Sequence, residues 1–212
     1  ALRARIDRRP PVPDWPFGNL PRQHFACVLI DPPWEWTGGK AGRPQHYPRM
    51  KDREIAALPI KELCDPAGAW VFLWVTSSGL IRALKVAAAW KLRYSGRAFV
   101  WCKTQRSDGD ATPIWVYPSK THMGMGFTTR KNAEDVLLFR VGKPQRLSKS
   151  VREIIFTGPR EHSRKPTEAF ARIEEFCPGP RLELFAREPR PGWAAWGTET
   201  QKFAPAPMES VA

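Results

Sequence analysis

Long apolar runs are absent from this sequence of 212 residues. No stretch approaches the ~18 apolar residues of a membrane-spanning helix, and the Arg- and Pro-rich start has no apolar segment typical of a secretion signal. We therefore expect a cytoplasmic protein that makes no membrane contact. Hydrophobic residues still make up 42% of the chain. The length suffices for one well-buried α/β domain and is too short for two of ordinary size.

Cysteine is scarce, and the cysteines do not form a metal-binding pattern. The four of them (Cys27, Cys64, Cys102 and Cys177) lie far apart and lack the paired spacing of a zinc site. Isolated cysteines within apolar stretches are typical of small buried side chains in a reducing compartment. We therefore predict no metal site.

A glycine-rich dinucleotide fingerprint is also missing. Gly124-Met125-Gly126 lacks the third glycine and does not join a predicted strand to a helix. A turn before a strand is the better interpretation of these residues. Because no glycine-rich loop stands early in the chain, we expect cofactor-binding residues late in it.

Acidic residues are few relative to basic ones. The chain has 21 Asp and Glu against 34 Lys and Arg, which gives a formal net charge of +13. A protein of this size with such an excess usually binds a polyanion, and nucleic acid is the first candidate. A merely soluble basic surface is the alternative, which composition alone leaves open.

One acid stands directly after an apolar run. Residues 25–30 (FACVLI) are typical of a fully buried strand. The strand must end at Asp31-Pro32-Pro33-Trp34, because proline lacks the N–H donor that a β-ladder needs. Ligands of open α/β sheets bind at such strand ends. A carboxylate, rigid carbonyls and a flat ring are together suited to hold a flat heterocycle by its amino group.

The rest of the chain alternates predicted strands and helices. Further strands are predicted at 69–76, 97–103, 134–141, 153–156 and 181–187. Helices are predicted at 52–58 with Asp52 as N-cap, from Ser77 or Ser78 to Trp90, and at 167–177 with Pro166 in the first turn. This alternation predicts an α/β fold with a mostly parallel twisted sheet and helices on both faces.

Composition sets the two ends of the chain apart from its middle. Residues 1–24 are predicted to be an Arg/Pro-rich arm that is extended over the domain or contacts phosphate, residues 25–203 the single folded domain, and residues 204–212 a flexible tail. Two polar, turn-rich loops, at 35–50 and 104–125, are long enough to be functional rather than simple connectors.

Lys165 stands just before the last predicted helix. A cation there opposes the positive end of the helix dipole, so ammonium and dipole together would hold an anionic group such as a carboxylate. A solvated surface cation is the alternative interpretation.

Several separate segments resemble the MT-A70-like family of S-adenosylmethionine-dependent adenine N(6)-methyltransferases, in particular its bacterial and phage members. These segments are FACVLIDPPW, HYPRM, REIAALPI, AWVFLWVT, AFVWCK, GMGFTTRKNAEDVLLF, REHSRKPTE, RLELFAR and GWAAWG. The resemblance implies a Rossmann-like class I methyltransferase with a circularly permuted motif order, in which the catalytic box precedes the cofactor-binding segment.

The resemblance also implies which residues are catalytic: Asp31, Pro32, Pro33 and Trp34. The 6-amino group of adenine would donate hydrogen bonds to the Asp31 carboxylate and the Pro32 carbonyl. These bonds would increase the electron density on the amine nitrogen and orient it towards a methyl donor. Trp34 or Tyr47 would stack on the base once it has left a duplex. Alternatively, Tyr47 only pins its loop.

S-adenosyl-L-methionine is the implied cofactor. Its predicted binding residues are Asp31, Lys165, Phe185, Arg187, Gly197, Thr198 and Glu199. Lys165 would hold the methionine carboxylate, and Glu134 resembles the acid that pairs with this lysine, although a plain structural acid is the alternative. Thr198 departs from the family, which often has asparagine there. The predicted substrate-binding residues are His46, Tyr47, Arg49 and Arg164.

We expect DNA as the substrate, because the chain is short, carries no RNA-binding annex and resembles bacterial and phage members. Adenosine in RNA is the first alternative. The second is a non-catalytic nucleic-acid-binding partner in a methyltransferase heterodimer, which the presence of Asp31, Trp34 and Lys165 disfavours. A homodimer, or a heterodimer with a related methyltransferase subunit, is a further option.

Overall fold

The computed structural model describes residues 15–35, 48–104, 129–161 and 163–204. The strands in these ranges are β1 (Cys27–Ile30), β2 (Gly68–Thr76), β3 (Arg93–Lys103), β4 (Ala133–Gly142), β5 (Ile154–Thr157), β6 (Arg181–Leu184) and β7 (Trp193–Trp196). The α-helices are α1 (Asp52–Ala57), α2 (Leu80–Ala89) and α3 (Thr167–Phe176), and short 3-10 helices span Ile60–Glu62 and Ser77–Gly79. Most of both predicted long loops lies outside the described residues, as do His46 and Tyr47.

The strands form one sheet in the order β5-β3-β4-β2-β1-β6-β7. β1 is parallel to both β2 and β6, and β6–β7 and β3–β5 are also parallel pairs. Only β4 reverses direction relative to its neighbours β2 and β3. The predicted mostly parallel α/β sheet is therefore confirmed.

β1 lies at the centre of this sheet and is buried on both faces. Val28 and Ile30 join the hydrophobic cluster that contains residues of α1 and α2, whereas Cys27 and Leu29 join the cluster that contains residues of α3. This division follows from the two-residue period of a strand. The helices consequently cover both faces of the sheet, as predicted, and none of the described helices is both long and apolar enough to cross a membrane.

All three described helix starts differ from the prediction. α2 begins at Leu80, with Gly79 as its N-cap, because Ser77 and Ser78 lie in a short 3-10 helix. α1 is capped by Lys51 rather than Asp52, because the Lys51 backbone N–H donates to the Glu54 carboxylate over 2.9 Å. The Asp52 carboxylate instead accepts a hydrogen bond from Arg82 Nε, with 2.8 Å between Nε and Oδ2. Pro166 is the N-cap of α3 and not its first residue, since its ψ of 139° is extended.

The last predicted strand is shorter in the structure than in the prediction. β6 ends at Leu184 instead of residue 187, because Phe185 adopts a left-handed backbone with φ of 60° that cannot continue the ladder. Within the described end of the predicted arm, Phe17 is 1% exposed and belongs to the same core cluster as Val28. Its ring packs edge-on against Trp196 of β7.

Candidate active site

The candidate site lies at the edge of the sheet where the parallel strands β1 and β6 end. Asp31 follows β1 directly, and Phe185 follows β6. β4 runs the other way, so its first residues, including Glu134, reach the same edge, and they pair there with the end of β3 near Lys103. The topology thus collects residues from four strand ends and from the start of α3.

Asp31 is held by two cations that the sequence places far from it. Its carboxylate Oδ2 lies 3.2 Å from Lys165 Nζ and 3.3 Å from Arg187 Nη1. The three side chains are only 10–15% exposed. Both described ion pairs use Oδ2, which leaves Oδ1 as the oxygen for a further hydrogen-bond donor.

Lys165 lies between two carboxylates. Its Nζ is 3.2 Å from Asp31 Oδ2 and also 3.2 Å from Glu134 Oε2, and it sits 4.6 Å from the centroid of the Trp74 ring. Burial disfavours the ammonium, but Asp31 and then Glu134 outweigh burial and raise the pKa of Lys165 above its ordinary value. Lys165 is therefore charged throughout the physiological range, and it is not a solvated surface cation.

Glu134 is nearly buried yet ionised. Its Oε2 accepts from Trp74 Nε1 over 2.6 Å, and its Oε1 lies 2.5 Å from Lys103 Nζ. Burial alone would raise the pKa of this carboxyl, but Lys165 and Lys103, the latter also by hydrogen bonding, lower it to about 2. The contact with Lys165 confirms that the two residues pair, as the resemblance implied.

The backbone of residues 32–35 is fixed by the segment before α1. The Pro33 carbonyl accepts from Met50 N–H over 2.9 Å, and Glu35 N–H donates back to the Met50 carbonyl over 3.1 Å. The Pro32 carbonyl accepts from Trp34 N–H over 2.8 Å. A carbonyl oxygen has two lone pairs, so Pro32 retains an acceptor for a ligand.

The Trp34 side chain contacts the protein core. The ring packs against the core cluster of α1 and α2, and Nε1 donates to the Trp74 carbonyl over 3.3 Å. The guanidinium of Arg82 lies 5.7 Å from the ring centroid. A role for Trp34 in stacking on a base stays a prediction, and Tyr47, the other candidate, lies outside the described residues.

A recess opens beside Asp31 and contains about 280 Å³ of empty space, part of it open to solvent. Its lining comes from the ends of β1 and β6 and from the segments on either side of them: Asp31, Ser163, Arg164, Lys165, Phe170, Glu183, Phe185, Arg187, Glu188 and Phe203. Four of the predicted cofactor-binding residues therefore share one cavity. Among the described residues, no group of three or more His, Cys, Asp or Glu side chains could hold a metal ion.

The other predicted cofactor-binding residues lie where β7 ends. Glu199 Oε2 is 3.5 Å from Arg187 Nε, so Arg187 bridges Glu199 and Asp31. Gly197 lies so close to β6 that a Cβ atom there would be 3.0 Å from the Phe185 Cα. Thr198 is exposed. The absence of a side chain at Gly197 thus permits the ends of β6 and β7 to approach each other.

The two described residues predicted to bind substrate differ in their surroundings. Arg49 is exposed near the Met50 bridge, a position that is compatible with a phosphate contact. Arg164 lines the recess instead, where its Nη2 donates to Glu188 over 2.6 Å. The charge of Arg164 is therefore already neutralised by a described carboxylate.

Two residues of the site, Lys103 and Glu183, are not among the residues predicted from the sequence. Glu183 is 8% exposed within β6 and lines the recess. Burial raises its pKa to about 8 despite the opposing charge of Arg190. A single acid inside an apolar strand was the available signal, because such a residue is rarely buried without a function.

The chain is similar to known methyltransferases over most of its length. The Type II methyltransferase M.MunI of Mycoplasma sp is 26% identical over 207 residues, which cover 86% of this chain and 81% of that protein. The human N(6)-adenine-specific methyltransferase METTL4 is 29% identical, with 86% of this chain and 39% of that protein covered. The N6-methyladenosine RNA methyltransferase MTA1 of Cryphonectria parasitica is also 29% identical, with coverages of 84% and 52%. The chain thus spans about half or less of the last two proteins.

The profile of the MT-A70 family matches residues 25–199. This range starts at the strand that leads to Asp31 and ends at Glu199, the partner of Arg187. It therefore contains every residue of the charged cluster around Lys165. The chain belongs to the MT-A70 family of N6-adenine methyltransferases.

Proposed function

We propose that this protein transfers a methyl group from S-adenosylmethionine to the 6-amino group of adenine in DNA by direct in-line displacement. The observation that carries the proposal is the position of Asp31, which lines the recess and whose Oδ2 lies within 3.3 Å of both Lys165 and Arg187. The Pro32 carbonyl, next in the chain, keeps one lone pair for a donor.

The residues around the recess fit the cofactor chemically. The methionine end of S-adenosylmethionine is a zwitterion, and Lys165 and Arg187 supply cations while Asp31 and Glu183 supply carboxyl groups on the same wall. Phe185 adds an apolar surface, and Glu199 at the end of β7 suits the ribose hydroxyls of the adenosine. The cofactor supplies an electrophilic methyl group on a sulfonium.

Asp31 and Pro32 bind and orient the adenine amine, which is the methyl acceptor. The lone pair of the adenine amine is delocalised into the ring, which makes it a poor nucleophile. Asp31 Oδ1 and the Pro32 carbonyl oxygen would each accept one N–H, which draws charge onto the nitrogen and orients it. Such fixed acceptors act through positioning and electrostatics, without a covalent enzyme intermediate.

Nucleic acid as the substrate class is supported by the net charge of +13 and by three exposed cations close in the chain to Met50, which bridges to Trp34. Arg49, Lys51 and Arg53 lie at the start of α1, next to Met50 and thus to the catalytic box. We propose DNA ahead of RNA on the similarity to the Type II methyltransferase M.MunI, which extends over 81% of that protein. A cytoplasmic location and a dimer with a related subunit remain predictions.

A paired methylation assay tests the substrate. The purified protein is incubated with S-adenosylmethionine and either DNA or RNA oligonucleotides of matched sequence and strandedness, and 6-methyladenine is quantified by mass spectrometry. We expect product on DNA at a higher rate than on RNA. A higher rate on RNA would replace DNA with the alternative substrate, and no product on either would support the non-catalytic alternative.

A further inference from the structure

Lys103 is a half-buried cation that the proposed mechanism does not use. It is the last residue of β3, and its side chain is 20% exposed. Its Nζ lies 2.5 Å from Glu134 Oε1 and 4.7 Å from the centroid of the Trp101 ring. Lys103 is thus ordered by an acid on one side and an aromatic ring on the other.

Through Glu134, Lys103 is linked to the charged residues that line the recess. Glu134 touches Lys103 with Oε1 and Lys165 with Oε2, and Lys165 in turn touches Asp31, which touches Arg187. The charges along this row alternate in sign. Without Lys103, Glu134 would have Lys165 as its only described cationic partner.

We infer that Lys103 is a positioning residue for cofactor binding: it neutralises Glu134, so that the positive charge of Lys165 stays available to the carboxylate end of the cofactor. The inference rests on the proposed function, since it presumes an anionic group next to Lys165. Charges in a half-buried site are screened far less than on the surface, so a cation one ion pair away still changes the local potential.

A purely structural role for Lys103 makes a different prediction. If the Lys103–Glu134 pair served only to join β3 to β4, its removal would destabilise the protein and weaken all ligands equally. If Lys103 instead keeps the charge of Lys165 available, its removal weakens the binding of only those ligands that carry a carboxylate. The two roles can therefore be distinguished by comparing the affinities for a ligand with a carboxylate and a ligand without one.

The experiment measures dissociation constants by calorimetry for two ligands. S-adenosylhomocysteine carries the amino-acid end, and 5′-methylthioadenosine lacks it. The variants are Lys103→Met, Lys103→Gln, which keeps a hydrogen-bond donor without the charge, and Lys103→Arg, which keeps the charge. Lys85→Met, at an exposed lysine on α2, is the matched control for loss of one positive charge.

We expect Lys103→Met and Lys103→Gln to bind S-adenosylhomocysteine roughly tenfold more weakly, while 5′-methylthioadenosine changes less than about twofold. Lys103→Arg should restore most of the loss, and Lys85→Met should resemble the wild-type protein. Equal weakening of both ligands, no weakening of either, or unfolding of both uncharged variants would overturn the inference. If the wild-type protein binds neither ligand, the proposed function fails and this inference falls with it.

Discussion

Lys165 Nζ and Asp31 Oδ2 lie 3.2 Å apart, although 133 residues separate them in the chain. The contact joins the end of the central strand β1 to the segment that starts α3. It places the acid that would orient the acceptor amine against the cation that would bind the methyl donor. The same ion pair therefore sets the distance between the two halves of the proposed reaction.

Replacing Lys165 should affect both stability and cofactor affinity. Lys165→Met leaves two neighbouring carboxylates, Asp31 beside Arg187 and Glu134 beside Lys103, so each keeps one cation and the cost is about 1–3 kcal/mol. We expect a lower free energy of unfolding and a dissociation constant for S-adenosylhomocysteine raised about 100-fold, by analogy with the loss of a charge-assisted hydrogen bond. Urea unfolding and calorimetry measure the two quantities.

A compensated double variant separates the two effects of Lys165. Lys165→Met combined with Glu134→Gln removes one carboxylate, so part of the lost stability should return, but the affinity should stay low. Recovery of affinity in the double variant would show that Lys165 acts only on folding.

Glu183 should make stability depend on pH. Its pKa is raised from 4.5 to about 8 in the folded state, so the folded protein holds a proton that the unfolded chain releases between these values. The folded state thus binds more protons, and stability falls as pH rises through this window. Glu183→Gln removes the titration and should be more stable than the wild-type protein at pH 8 by about 4 kcal/mol, with a smaller difference at pH 5.

The measurement for Glu183 is urea unfolding of both proteins at intervals from pH 5 to pH 8. The difference between their free energies of unfolding should grow steadily with pH. Parallel curves over the whole range would mean that the Glu183 carboxyl titrates normally.

Enlarging Gly197 should separate the ends of β6 and β7. A Cβ atom at this position would lie 3.0 Å from the Phe185 Cα and 3.1 Å from the Ala186 N, both backbone atoms that cannot rotate away. We expect Gly197→Ala to cost about 1–3 kcal/mol and Gly197→Ser to cost more, with weaker S-adenosylhomocysteine binding in the same order. Thermal unfolding and calorimetry on both variants test this, and a fully stable Gly197→Ser variant would contradict the close approach.

The parts of the fold that could be predicted are those encoded by local patterns. An apolar run that ends in two prolines is unambiguous, so β1 and the place of Asp31 at its end follow from residues 25–34 alone. The register of β4 is not local. Glu134 reaches Lys165 because β4 runs antiparallel to β2, which strand–helix alternation does not indicate, and only the family resemblance pointed to this pair.

The residues that were missed depend on burial and on neighbours distant in the chain. Lys103 gains its significance from Glu134, which lies 31 residues further on, and Glu183 from the recess it lines. The early end of β6 was likewise not predictable, because the apolar pattern continues through Phe185 while the backbone there turns left-handed.

The most direct test of the central claim is single-turnover methylation by Asp31→Asn with saturating S-adenosylmethionine and an adenine-containing DNA duplex that the wild-type protein methylates. Asparagine preserves the shape of Asp31 but not its charge, so the amide is a weaker acceptor for the adenine amine. We expect the rate to fall about 100-fold or more, with S-adenosylhomocysteine still bound. A rate within a few-fold of wild type, with the cofactor bound, would contradict the role of Asp31 in orienting the amine.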